Sequence, residues 1–178
     1  PGGEVVFDDL VTLIMPTDIE NSSDVPLAVR LSPELTGIAE IVVIAENNPI
    51  QTVARMMPYR RIASIGLKIR LEMSTPVRAA VLTDDGVWHV GSEWANVLTP
   101  GGCSAPIVFS EAGAGARLGE IAMRTYERDE ADRLKFRIIH PMETGLAFTG
   151  DGEQIPAYYI EWIEISDAGG KVVDVFTQ

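Results

Sequence analysis

The chain has 178 residues, a formal net charge of −12 and a hydrophobic fraction of 46%. That charge argues against nucleic acid and anionic lipid as partners, since both reward Lys and Arg, and the apolar fraction excludes a disordered chain. No apolar run approaches the roughly 18–20 residues of a membrane-spanning helix, and one cysteine excludes an internal disulfide, so cysteine pairing says nothing about the redox compartment. The acidity itself has two readings, plain solubility or steering of a basic partner. A chain that starts at Pro1 points to processing or trimming, with a removed secretion signal as one route.

The first half reads as strands. Val5 to Met15 is apolar around an Asp8-Asp9 turn, and Pro16 ends it. Asn21-Ser22-Ser23-Asp24 is a turn cluster before a short strand, Val25 to Leu31. Ile38 to Ala45 is nearly continuous apolar sequence, suited to a strand buried on both faces or to a buried helix, and Asn47-Asn48-Pro49 closes it. Ile65, Leu67, Ile69, Leu71 and Met73 alternate with Lys68, Arg70 and Glu72, the period of a strand with one wet face. Val77 to Thr83, Asp84-Asp85-Gly86 and Val87 to Val90 form a hairpin pattern, and Trp94 to Leu98 is a further short strand. About seven short strands with turns between them predict an antiparallel β-sandwich.

Residues 99–119 are rich in small residues and lack periodicity apart from Ile107-Val108-Phe109, so they read as a linker. The second half returns to β pattern. Glu120 to Arg128 and Leu134 to Ile139 are strand candidates around the charged turn Asp129 to Arg133. A long strand is expected over Ile155 to Ile165, then a turn at Asp167-Ala168-Gly169-Gly170 and a last strand over Lys171 to Phe176. Four strands are too few for a closed sandwich, so this half must pack on the first or lack later strands.

One stretch carries chemistry, Thr99-Pro100-Gly101-Gly102-Cys103-Ser104-Ala105-Pro106. A single cysteine is ordinarily a small buried hydrophobe. Here small residues and prolines surround it, so the sequence predicts a thiol held out on a flexible tether. Its neighbours in sequence supply no base or cation, and the nearest charges are Glu93 and Glu111. A spatial partner such as His89 or His140 stays open. The thiol is therefore expected near its reference pKa of about 8.5, suited to a passive carrier rather than an enzyme. Two histidines and one cysteine without close spacing make no metal site. No phosphate loop, Ser-His-Asp order or dinucleotide fingerprint is present, and Gly113-Ala114-Gly115 only imitates one. No cofactor is implied.

The residues also carry a family resemblance. Ile19-Glu20-Asn21, Val25-Pro26, Ala45-Glu46-Asn47-Asn48-Pro49, Asp84-Asp85-Gly86-Val87-Trp88 and Gly101-Gly102-Cys103 resemble the SoxY subunit of the sulfur-oxidation carrier SoxYZ. His140-Pro141-Met142-Glu143-Thr144-Gly145 and Gly152-Glu153-Gln154-Ile155-Pro156-Ala157 resemble SoxZ. Both in one chain is similar to the fused SoxYZ-like carriers associated with quinoprotein dehydrogenases. The resemblance implies an all-β protein of two immunoglobulin-like antiparallel β-sandwiches: a SoxY-like domain at 1–100, a thiol-bearing linker at 101–118 and a SoxZ-like domain at 119–178 that lacks its later strands. It implies a periplasmic, non-enzymatic carrier of sulfur intermediates, with Cys103 as attachment site and Gly101-Gly102 as the hinge of a swinging arm. His140 to Gly145 takes a structural or docking role. Implied partners are periplasmic sulfur-metabolising enzymes or a quinoprotein dehydrogenase, and a disulfide-linked or strand-exchanged homodimer is a further expectation. The family motif Gly-Gly-Cys-Gly-Gly is altered, since Ser104-Ala105 replace the second glycine pair and the chain continues. The rival reading is an adaptor that docks a dehydrogenase, with Cys103 vestigial.

Overall fold

The computed structural model describes residues 3–105, 117–129 and 131–177. The chain divides into two compact units, Pro1–Ala105 with Glu161–Gln178, and Pro106–Ile160. The expected domain at 119–178 is therefore shared between them, because its last two strands find their hydrogen-bonding edge in the first unit.

The first unit is a two-sheet sandwich. Its strands are β1 (Glu4–Phe7), β2 (Val11–Ile14), β3 (Asp18–Ile19), β4 (Val25–Leu31), β5 (Ile38–Ala45), β6 (Thr52–Pro58), β7 (Ser64–Ile69), β8 (Thr75–Thr83) and β9 (Val87–Val97). β12 (Trp162–Asp167) and β13 (Gly170–Thr177) complete it. The large sheet runs β1-β9-β8-β5-β6-β13-β12, with β3 also on β9, and the small sheet runs β2-β4-β7. Most pairings are antiparallel, but β1 and β3 both run parallel to β9. The inner faces meet in one apolar cluster that includes Leu13, Val29, Ile41, Val43, Ala79 and Val81. Each of the larger aliphatic side chains buried there contributes about 1.5–3 kcal/mol.

The alternating β4 and β8 follow the sequence pattern, with every second side chain buried. The run Ile38 to Ala45 is a strand rather than a helix, paired on both edges by β6 and β8. Three differences have local causes. β6 was not legible, because only Ala54 and Met56 turn inward and neither residue type favours strands. β7 ends at Ile69, so the alternation through Met73 overran the ladder. The two short strands expected over 87–98 are one strand, β9, which continues through Gly91.

The second unit contains a two-stranded ribbon, β10 (Ile121–Tyr126) with β11 (Arg133–Ile138), and two isolated bridges, Glu143 to Tyr158 and Phe148 to Gln154. A long strand over 155–165 does not form. Pro156 lacks a backbone donor, and the strand begins only at Trp162. Among the described residues the protein has no α-helix.

The hairpin β12–β13 adds to β6 through the register Val175 to Met56 and Val173 to Pro58. Side chains reinforce that seam. The Tyr59 hydroxyl donates to the Asp174 carboxylate at 2.8 Å, Lys171 reaches Glu164 at 2.7 Å and Asp174 at 3.3 Å, and Arg60 reaches Asp167 at 2.5 Å. The Lys171 ammonium also lies 5.6 Å from the Tyr59 ring centre and 5.7 Å from that of Trp162.

Candidate functional site

The loop carrying Cys103 follows β9, and the chain segment after β7 holds it. The Gly101 N–H donates to the Glu72 carbonyl at 2.8 Å and the Gly102 N–H to the Leu71 carbonyl at 3.1 Å. From the other side the Ser22 hydroxyl donates to the Thr99 carbonyl at 2.5 Å. Ser22 thus joins the turn before β4 to this loop, and its own carbonyl accepts the Leu71 N–H at 2.8 Å.

The glycines have distinct duties. Gly101 sits at φ +100°, a conformation that side chains rarely allow. Gly102 is wedged between two backbones, and a Cβ there would lie 2.2 Å from the Ser22 carbonyl oxygen and 2.5 Å from that of Leu71. In this docked state Gly102 is a point of close approach.

The Glu72 carboxylate is the clasp. It accepts the Cys103 N–H at 3.0 Å, the Ser104 N–H at 3.2 Å and the Ser104 hydroxyl at 2.8 Å. Charge-assisted bonds of this kind are roughly twice as strong as neutral ones. The Asn48 side chain orients the clasp by accepting the Glu72 N–H at 2.9 Å and donating to the Arg70 carbonyl at 2.8 Å. The Ala105 N–H closes a further turn onto the Gly101 carbonyl at 2.8 Å.

The expectation of an exposed thiol is corrected by this arrangement, since Cys103 is only 5% exposed. Burial pushes the thiol up to about 11, the Glu72 carboxylate adds to the rise, and Arg70 opposes it. The residue still stands outside the apolar cluster of the sandwich core among the described residues. It lies within the loop after β9, which polar ties fasten to the segment after β7. The rest of the linker, including Ile107-Val108-Phe109 and Gly113-Ala114-Gly115, lies outside the described residues.

Sequence reasoning missed Glu72, which reads there as one solvated position of an alternating strand. His89 Nδ1 lies 2.7 Å from the Asp8 carboxylate. His140 belongs to the second unit, where its Nδ1 accepts the Met142 N–H at 3.1 Å, its ring lies 4.6 Å from Tyr158, and burial lowers its pKa.

The stretch His140 to Gly145 folds against residues 154–160. Glu143 and Tyr158 exchange backbone hydrogen bonds at 2.8 and 2.9 Å, and the Ile160 N–H points at Met142 Sδ at 3.4 Å. The Gln154 side chain donates to the Gly145 carbonyl at 2.6 Å, and Thr144 Oγ1 accepts the Leu146 N–H at 3.2 Å. Pro141 and Glu143 are buried, and Met142 takes a positive φ of 54°. The two sequence stretches that carry the SoxZ resemblance are thus one another's packing partners.

Fold and site together define a class: an immunoglobulin-like β-sandwich that ends in a cysteine-bearing Gly-Gly loop. Two family models cover most of the chain, sulfur oxidation protein SoxY over residues 2–103 and sulphur oxidation protein SoxZ over residues 121–178. The chain belongs to the SoxY family and continues into a SoxZ part, as a fused SoxYZ-like protein. Among solved structures, the sulfur carrier protein SoxY from Chlorobium limicola f thiosulfatophilum aligns at 18% identity and a TM-score of 0.50, over 55% of this chain and 87% of that one. A superoxide reductase (neelaredoxin) from Ignicoccus hospitalis aligns at 13% identity and a TM-score of 0.42, over 49% and 79%. A sequence comparison with curated proteins gave no match.

Proposed function

We propose that this protein is a periplasmic carrier that holds sulfur intermediates covalently on Cys103 and presents them to partner enzymes, without catalytic residues of its own. The supporting observation is that the SoxY match ends on Cys103, directly after Gly101-Gly102. Gly101-Gly102 is then the hinge about which the loop leaves its clasp.

The site's electrostatics set the order of events. With the thiol near 11, almost none is thiolate at neutral pH, so the docked cysteine is a poor nucleophile. A partner must open the loop first. Joining Sγ to the outer sulfur of thiosulfate forms an S–S bond, releases the thiol proton and delivers two electrons to a redox centre of that partner. The adduct ends in a sulfonate, whose negative charge is disfavoured beside the Glu72 carboxylate. Loading therefore weakens the clasp, and the loaded loop stays available to the next enzyme.

A second reading draws on the same burial. If Cys103 never leaves its cover, the chain is an adaptor that docks a periplasmic quinoprotein dehydrogenase, and the cysteine is vestigial. Cys103→Ser in the native host separates the two. The carrier reading expects loss of thiosulfate-dependent activity with protein abundance unchanged, whereas activity equal to wild type leaves only the adaptor.

A further inference from the structure

The ribbon β10–β11 sorts its side chains by face. Ile121, Met123 and Thr125 lie opposite Ile138, Phe136 and Leu134 on one face, while Ala122, Arg124 and Tyr126 lie opposite Arg137, Lys135 and Arg133 on the other. The second face is cationic in a chain whose net charge is −12.

Most cations elsewhere are paired, although Arg30, Arg61 and Arg70 form no ion pair among the described residues. Arg55, Arg60, Lys68, Arg78, Arg117 and Lys171 each pair with a carboxylate. Among the described residues, no carboxylate lies within ion-pair distance of Arg124, Arg128, Arg133, Lys135 or Arg137. The connection between the strands carries Glu127, Asp129, Glu130 and Asp132, next in sequence to Arg128 and Arg133.

The face carries a cavity of about 180 Å³ lined by Tyr126, Arg128, Arg133 and Lys135. Organic ligands occupy pockets of about 300–1,000 Å³, so this one suits an ion. Two guanidinium groups offer planar forks of donors that match the oxygens of an oxyanion, and the ammonium adds a point charge. The Arg124 guanidinium, 5.0 Å from the Tyr126 ring centre, fixes the wall on which the phenol sits.

We infer that the cationic face of the β10–β11 ribbon is a binding site for a small divalent oxyanion of the sulfate or thiosulfate type, held by Arg128, Arg133 and Lys135. The site is built from residues of the second unit alone, does not depend on covalent loading, and gives that unit a ligand of its own.

Backbone amide shifts of the ¹⁵N-labelled full chain test this directly, with sodium sulfate and sodium thiosulfate titrated in turn and ionic strength held constant with sodium chloride. Saturable shifts confined to residues 124–137 are expected with either dianion. Equal affinities would assign the site to tetrahedral dianions in general, and tighter thiosulfate binding would show that it reads the terminal sulfur. Arg133→Gln combined with Lys135→Gln should weaken binding about tenfold or more, through loss of charge-assisted donors, and leave the rest of the spectrum in place. Shifts that sodium chloride alone reproduces, that spread over the whole surface, or that persist unchanged in the double variant overturn the inference. The wild-type titration decides by itself if the double variant fails to fold.

Discussion

The Cys103 backbone N–H donates to the Glu72 carboxylate at 3.0 Å across 31 positions of sequence. The same carboxylate binds both the N–H and the hydroxyl of Ser104. One acidic side chain therefore fastens the loop and helps to raise the pKa of the thiol it carries. Ser104 stands where the family motif has glycine, and its hydroxyl strengthens the clasp.

Removing the clasp should expose the cysteine. Glu72→Ala is expected to raise the rate of alkylation by iodoacetamide about tenfold or more, since each bond to a charged group is worth about 1.5–3 kcal/mol. Because the substitution also lowers the thiol pKa, the rate constants are to be compared per thiolate, extracted from a pH series. An unchanged rate per thiolate would mean that Glu72 does not hold the loop. With the clasp intact, oxidised wild type should run as a monomer on a non-reducing gel, and Glu72→Ala should form the Cys103–Cys103 dimer.

The thiol itself gives a pH signature. Its folded-state pKa of about 11 lies above the unfolded value of about 8.5. The protonated form is thus favoured by folding, and the stabilisation is complete below the unfolded pKa and lost as pH rises toward 11. The difference in absorbance at about 240 nm between wild type and Cys103→Ser, which cancels the tyrosinate signal, should titrate near 11 in the native protein. Cys103→Ser should lose less stability than wild type between pH 8.5 and 11.

Gly102 should tolerate no side chain while the loop is docked. Its Cβ would meet backbone oxygens on both sides, and backbone cannot turn away as a flexible side chain can. Gly102→Ala is expected to destabilise the docked state by about 1–3 kcal/mol, the usual scale of overpacking, and to speed Cys103 alkylation. A melting temperature and labelling rate equal to wild type would contradict the geometry.

The C-terminal hairpin should behave as part of the first unit. Asp174 is held below the ordinary carboxylate range by the Tyr59 hydroxyl and by Lys171. Its contribution is present above the unfolded carboxylate pKa of about 3.9 and is lost as pH falls through the lowered folded value. Hydrogen-exchange protection factors over 162–177, taken relative to the intrinsic rate at each pH, should therefore fall in acid, and less so in Asp174→Asn, which has already lost the charge. A chain ending at Ile160 leaves β6 as an unpaired edge and should unfold at lower temperature than the full chain.

Much of the sandwich was legible because its strands obey period two or form continuous apolar runs. The bounds of β4 and β5 follow directly from Val25 to Leu31 and Ile38 to Ala45. The attachment of β13 to β6 was not legible, since register between strands more than 100 positions apart depends on which edge is open, and no local pattern encodes that. At the site, composition picked out Cys103, Gly101 and Gly102 but misjudged exposure. Small neighbours cannot cover a thiol themselves, yet they let a distant segment approach closely, as Leu71 and Glu72 do. Glu72 carried no signal because an acidic residue on an alternating strand ordinarily faces water.

Whether Cys103 carries sulfur is decided by the intact mass of the protein purified from its native host during thiosulfate oxidation. A carrier should show a population heavier than the polypeptide by a sulfur-containing group, removed by a thiol reductant and missing in Cys103→Ser. A single species at the unmodified mass under those conditions, with thiosulfate oxidation proceeding, would contradict the carrier function.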